Sequence, residues 1–381
     1  MASTVLVRSM ELLDVTLREG EQRAGRSYTV DEKVTVAETL SALGVSYVQL
    51  GFPVADDGTG AACDRLSIDA KTTGIARVLE RDVDAAAASG VDVIELFAPT
   101  SDRQREQLLD VGRGELRDRI GDAVSHAAET GCELHFTAMD GFRSDPDFLS
   151  TLYADLADAV SYVSIADTVG ARTPAGVSDF LADLSAGVDR SRLGVHFHDD
   201  LGVATANALA AARHGVGKVD VSVAGVGERA GNTPLEEFVV AAVTGQTNLA
   251  VDVSFERLLP SARSIVEALG ETVPAGKPLL GESAFEHESG LHTAAMLDDP
   301  STFEPFDPAR FGGERRLLFG AATGRGAAER LLERAGAEPT SDQVDALLDA
   351  LASRGELPLA EALSVARDLD RSGNPSGETG K

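Results

Sequence analysis

Lysine is scarce in this chain. Of 34 basic residues only five are lysine, at positions 33, 71, 218, 277 and 381, and they face 62 acidic residues for a formal net charge of −28. That excess argues against nucleic acid or an anionic membrane surface as partners, since both would be repelled. Cysteine is scarcer still. Cys63 and Cys132 are too few and too far apart to form a disulfide framework or a thiolate metal cluster. No apolar run reaches 18 residues, and the opening "MASTVLVRSMELLDVTL" has no signal-peptide pattern, so a soluble cytoplasmic protein is expected. Acid excess with little lysine and abundant Ala, Gly and Asp suits a protein that stays soluble at very high salt. A halophilic source is therefore preferred over a merely acidic protein.

What is present is an alternation. Short runs rich in Val, Ile and Leu recur as "LLDVTL" (12–17), "SYVQLGF" (46–52), "GIARVL" (74–79), "VDVIELF" (91–97), "CELHFT" (132–137), "SYVSIA" (161–166), "LGVHFH" (193–198) and "KVDVSVA" (218–224). Between them lie segments of helical period such as "DEKVTVAETLSALG" (31–44) and "TPAGVSDFLADLSAG" (173–187). Eight β-then-α units predict a (β/α)8 TIM barrel over residues 1–255. A doubly wound sheet would more often carry a glycine-rich phosphate turn after its first strand, and "DVTLREGEQ" is not one. Past residue 255 the strand signal fades, which predicts a helical C-terminal region over 256–370 and a disordered tail over 371–381.

Barrel enzymes build their sites where strands end. Strand one runs into Asp14, Arg18, Glu19 and Gln22; strand five into Asp140 and Arg143; strand six into Asp167 and Thr168; strand eight into Glu228, Arg229 and Asn232. Strand seven ends in His196 and His198, two of seven histidines. Residues i and i+2 of a strand share a face, so both imidazoles point to the barrel axis. Two readings are open. They are ligands to one divalent ion, with the Glu19 carboxylate and the Asn232 amide oxygen completing a shell suited to Mg²⁺, Mn²⁺ or Zn²⁺. Alternatively, they are core histidines hydrogen-bonded to Asp199 or Asp200. The polar residues at four other strand ends favour the ligand reading. His292, in "SGLH" outside the barrel, reads on its own as a surface or packing histidine.

Taken together, "DVTLREGEQ" (14–22), "ADTVG" (166–170), "HFHDDLGVATAN" (196–207), "GVGERAGNTPLEE" (225–237), "FEHESGLH" (285–292) and "FEPFDP" (303–308) resemble the 2-isopropylmalate, homocitrate and citramalate synthases, a group of the DRE-TIM metallolyase type. A haloarchaeal member fits the composition. The resemblance implies condensation of acetyl-CoA with a 2-oxo acid on a divalent metal held by Glu19, His196, His198 and Asn232. It gives Arg18 the stabilisation of the alkoxide that forms, Thr168 the substrate carboxylate, and Gln22, His135 and Arg143 the substrate surround. Asp14, expected to orient Arg18, and Asp200 stand behind these groups. It also changes the reading of His292, which becomes a catalytic residue supplied by the partner subunit of a homodimer with shared active sites.

The chain departs from that pattern at several places. Met139 stands where Glu is usual, Gln49 where Glu is common, Glu95 where His is common and Asp199 where Asn is usual, and "FGAATGR" (319–325) lacks a Lys-His. Synthases that take 2-oxoglutarate carry Arg at the position of His135, and imidazole is a poorer partner for a distal carboxylate. No leucine-sensing domain is expected after the helical region. The favoured reading is a 2-isopropylmalate or citramalate type of synthase in amino-acid biosynthesis. Behind it stand a homocitrate synthase, an acyl-CoA lyase on the same scaffold, whose strand-eight cysteine is missing here, and a non-catalytic paralogue.

Overall fold

The computed structural model describes residues 8–245 and 249–373. The expected strands are all found: β1 Arg8–Asp14, β2 Tyr47–Gly51, β3 Lys71–Arg77, β4 Val93–Pro99, β5 Glu133–Met139, β6 Tyr162–Asp167, β7 Leu193–Phe197 and β8 Lys218–Val221. They run parallel in sequence order, and β1 pairs with both β2 and β8, which closes the barrel. Their apolar runs are buried on both faces, as strands inside a ring of helices must be.

Helix boundaries follow local chemistry. Thr29 and Glu32 form a reciprocal cap on the helix Val30–Leu43, so two of its first amides are satisfied by side chains. Asp145 and Thr173 cap helices that begin on Pro146 and Pro174, where proline's missing amide costs nothing.

The first strand departs from the sequence reading. It starts earlier and stops at Asp14, and residues Thr16–Glu21 form a short helix. The cause is Asp14, whose carboxylate accepts from the Thr16 amide at 2.9 Å and hydroxyl at 3.0 Å and so turns the chain. A ninth strand, β9 Leu249–Val251, pairs with the start of β1 outside the closed ring.

The chain divides into two compact units after Val273 rather than at residue 255. The helix Leu258–Ala268 lies within the first unit, burying Leu258, Leu259, Ala262 and Ile265. The second unit is not purely helical. It carries a small sheet of β10 Glu286–His287, β11 Arg316–Phe319 and β12 Leu357–Pro358, with helices Gly290–Asp298, Arg325–Ala335, Ser341–Arg354 and Leu359–Gly373. Its core includes Phe319, Leu331, Leu332, Leu347 and Leu351. The last helix runs into the expected tail, whose residues 374–381 lie outside the described residues. No described helix is long and apolar enough to cross a membrane.

Candidate active site

Glu19, His196 and His198 converge at the carboxyl ends of β1 and β7, with one potential ligand atom from each within 4.8 Å of the others. All three are buried. Each imidazole is turned by its outer nitrogen. His196 Nδ1 lies 3.2 Å from Asp220 Oδ2, and His198 Nδ1 lies 3.3 Å from the carbonyl oxygen of Asp167. Both Nε2 atoms are thereby left facing Glu19, at 3.4 and 3.7 Å from its oxygens. This is how proteins aim imidazoles at a metal.

Asn232 joins through an isolated bridge with His198, and its amide nitrogen lies 3.3 Å from His196 Nε2. Gly227 makes room for it: a Cβ there would sit 2.0 Å from Asn232 Oδ1. His198 Nε2 and Asn232 Oδ1 are both buried without a hydrogen-bond partner. Buried polar atoms are rarely left so without a use. One carboxylate, two imidazoles and an amide oxygen are a donor set that fits Mg²⁺, Mn²⁺ or Zn²⁺.

The electrostatics agree with the geometry. Burial opposes the ionisation of Glu19, but the Arg18 guanidinium and the two imidazoles hold its carboxyl well below the usual range. Burial likewise disfavours the His196 cation, yet Asp220 and Glu19 outweigh it and hold that ring up to about 9. Asp14 stands alone among these acids. Burial lifts it to about 7, and the Thr16 hydrogen bonds offset only part of that.

These residues open into a cavity of about 280 Å³ that is also lined by Arg18, Gln22 and Thr168, with Gln49, Glu95, Thr137 and Met139 on its walls. Arg18 donates to Glu19 and to Gln49. The Gln22 amide donates to Glu19 at 2.8 Å and accepts from Arg18 at 3.2 Å, in the orientation that suits both neighbours. The Thr168 hydroxyl accepts from the Asp140 amide at 2.8 Å.

Several sequence-based expectations meet a different arrangement. Asp14 binds Thr16 and not Arg18, because the chain turns between them. Arg143 is held by both oxygens of Asp140, at 2.7 and 2.6 Å, and reaches Thr168 only through that residue. His135 lies near the start of β5, fully buried, with Nε2 3.1 Å from Glu133 and its ring between Tyr47 and Tyr162; it does not line the cavity. Asp200 pairs with Arg229 at 2.9 Å from two nitrogens, and Arg229 in turn donates to the Thr168 carbonyl, so Asp200 braces the rim and not a histidine. His292 belongs to the second unit, where its ring stacks on Phe303 at 3.9 Å. Sequence reasoning missed Asp220 as the partner of His196. The signal was there: in "KVDV" two charged residues at i and i+2 occupy a strand that is otherwise apolar.

Comparison with known proteins adds to this geometry. The HMGL-like family matches residues 9–265, and the homocitrate synthase post-HMGL domain-like family matches residues 279–356. The homocitrate synthase AksA of Methanopyrus kandleri is 38% identical over 362 residues, covering 92% of this chain and 90% of that protein. A 2-isopropylmalate synthase of Sulfurisphaera tokodaii is 32% identical over 367 residues, covering 95% of each. The HMG-CoA lyase of Bacillus subtilis superposes with a TM-score of 0.61 over 72% of this chain and 97% of that one, at 22% identity, which is a likeness of fold.

Proposed function

The chain belongs to the HMGL-like family, and from that premise we propose that it condenses acetyl-CoA with a 2-oxo acid, as a synthase of the 2-isopropylmalate or citramalate type in amino-acid biosynthesis. The observation that carries the reading is the convergence of Glu19, His196 and His198 with Arg18 and Thr168 on one cavity. Glu19, His196, His198 and Asn232 would hold a divalent ion, Mg²⁺, Mn²⁺ or Zn²⁺. When bound, that ion supplies Lewis-acid polarisation of the oxo acid's carbonyl and a template for its two oxygens.

The remaining work belongs to the chain. Arg18 donates to the carbonyl oxygen and stabilises the alkoxide that forms, where a fixed guanidinium needs no reorganisation. Gln22 and Gln49 hold that guanidinium in place. The Thr168 hydroxyl binds the substrate carboxylate, itself positioned by Asp140 and so by Arg143. The acetyl methyl loses a proton, its carbon bonds to the carbonyl carbon, and hydrolysis of the thioester releases CoA as the free thiol. His292 is the candidate for proton handling. Pairing of two copies into a homodimer, with His292 of one serving the other, rests on the resemblance. A cytoplasmic protein of a halophilic cell, without nucleic acid or membrane as partner, completes the proposal and is supported by the charge of −28.

The test is thiol release from acetyl-CoA in high salt, with pyruvate, 2-oxoisovalerate and 2-oxoglutarate in turn, with and without Mg²⁺ or Mn²⁺. Metal-dependent release with at least one acid is expected. No release with any of them, from a folded and metal-loaded protein, would overturn the reading.

A further inference from the structure

Below the metal-ligand cluster the cavity has a charged side chain that the proposed reaction does not use. Glu95 on β4 lines the cavity and is 3% exposed. Its carboxylate is fixed from three sides. Gln49 donates to one oxygen, the Thr137 hydroxyl donates to the other at 2.7 Å, and Lys218 Nζ lies 3.5 Å from that second oxygen.

Lys218 is fully buried, and it reaches this place because β7 carries Gly194, where a Cβ would lie 2.8 Å from the lysine's Cε. The same ammonium lies 3.3 Å from Asp220. Burial works against the ammonium, and Asp220 and Glu95 outweigh it. The one ammonium thus stands between two carboxylates, of which Asp220 is also paired with His196, and it lies behind Glu95 without lining the cavity.

Gln49 belongs to the same design. Its oxygen accepts from Arg18 and its nitrogen donates to Glu95, so a donor-only and an acceptor-only neighbour orient the amide. A glutamate at position 49 would set two carboxylates in contact. The residues at 49 and 95 are therefore matched to each other. The other walls, Ile75, Phe97, Met139 and Ala166, are apolar. Among the described lining residues Arg18 is the only Lys or Arg, and it is engaged with Glu19 and Gln49.

We propose that Glu95 is a specificity residue: its fixed negative charge rejects oxo acids that carry a second carboxylate, so the cavity takes a 2-oxo monocarboxylate with a short uncharged side chain. A like charge placed against the unwanted substrate discriminates more sharply than a missing contact does. The inference rests on the synthase reading, since it assigns the side-chain end of that reaction's oxo acid.

The test compares kcat/KM for pyruvate, 2-oxobutyrate, 2-oxoisovalerate and 2-oxoglutarate with acetyl-CoA and Mn²⁺. It uses the wild type, Glu95→Gln and the double variant Glu95→Gln/Lys218→Met, in which no buried ammonium is stranded. The wild type is expected to favour a monocarboxylate over 2-oxoglutarate by ~100-fold or more, and at least one folded variant to narrow that ratio by ~10-fold, mainly through KM. Thermal-shift titration of the Mn²⁺-loaded proteins with the same acids reads the discrimination without turnover. A wild type that prefers 2-oxoglutarate, or ratios and shifts unchanged in both variants, would overturn the role of Glu95 while leaving the synthase reading standing. Absence of thiol release with every acid sinks the synthase reading instead, and the titration then decides on Glu95 alone: shifts with monocarboxylates only support it, and equal shifts overturn it.

Discussion

Asp220 determines which nitrogen of His196 faces the cavity, and it also sets how many protons must leave before that nitrogen can be used. Burial disfavours the imidazolium, but Asp220 and Glu19 hold the ring up to about 9 against an ordinary value of 6.5. A metal needs the neutral ring, so binding displaces a proton at any pH below that value. The apparent dissociation constant for Mn²⁺, measured by calorimetry, should fall as pH rises toward about 9 and level off above it. In the metal-free protein the linkage runs the other way. Stabilisation from the protonated ring is full below about 6.5 and is lost as pH rises through about 9. Asp220→Asn should weaken Mn²⁺ binding by about 10–100-fold, the usual cost of losing the group behind a histidine ligand. An unchanged affinity would show that the Asp167 carbonyl and Glu19 suffice to hold the pair. His196→Ala should remove metal dependence and activity together, and full activity in that variant would refute its assignment as a ligand.

At the scale of elements, the barrel was legible because its strands are buried on both faces and their apolar runs stand out against long polar helices. The strands of the second unit were not: β10 and β12 have two residues each and β11 four, too short for any period to show. The candidate site divides along the same line. His196 and His198 are readable because both ligands lie on one strand. The pair Gln49 and Glu95 is 46 residues apart in sequence, and which inward-facing side chains meet across a barrel is set by tilt and register that one sequence does not display. The place of His135 depends on the same tilt and register. It shares a face of β5 with Thr137 and Met139 but sits deeper than the cavity reaches. Helix ends permit a sharper expectation. Gly44 closes the helix Val30–Leu43 at φ +105°, and a Cβ there would meet the Asp252 carbonyl oxygen at 2.8 Å, whereas Gly25, at φ +75°, has nothing within 4 Å. Gly25→Ala should therefore cost only the left-handed backbone, about 1–2 kcal/mol. Gly44→Ala should cost more, because the backbone of the Asp252 loop must also move. Urea midpoints of the two variants, read against wild type, check the order, and equal costs would mean that the loop yields freely.

At the scale of the whole molecule, the charge of −28 sets two effects of salt against each other. Salt weakens ion pairs, and many of this protein's pairs are exposed, among them Arg65–Asp31, Arg119–Glu115 and Arg325–Asp345. Salt also screens the repulsion among the excess carboxylates. Exposed pairs contribute only about 0–1 kcal/mol each, because side-chain entropy and hydration offset most of their attraction. The repulsion has no such offset: acidic residues outnumber basic ones by 62 to 34, so most of the excess has no cation to meet. Screening should therefore win, and the protein should gain stability as salt is added. The Debye length shrinks from about 10 Å at 0.1 M to about 3 Å at 1 M, so the gain should be concentrated in that interval. Thermal unfolding in KCl, at fixed pH and without divalent metal, reads the sign directly. A rising Tm that flattens beyond about 1 M supports repulsion as the larger of the two effects. A falling Tm would mean that the exposed pairs outweigh the excess charge, and the halophilic reading of the composition would fall with it.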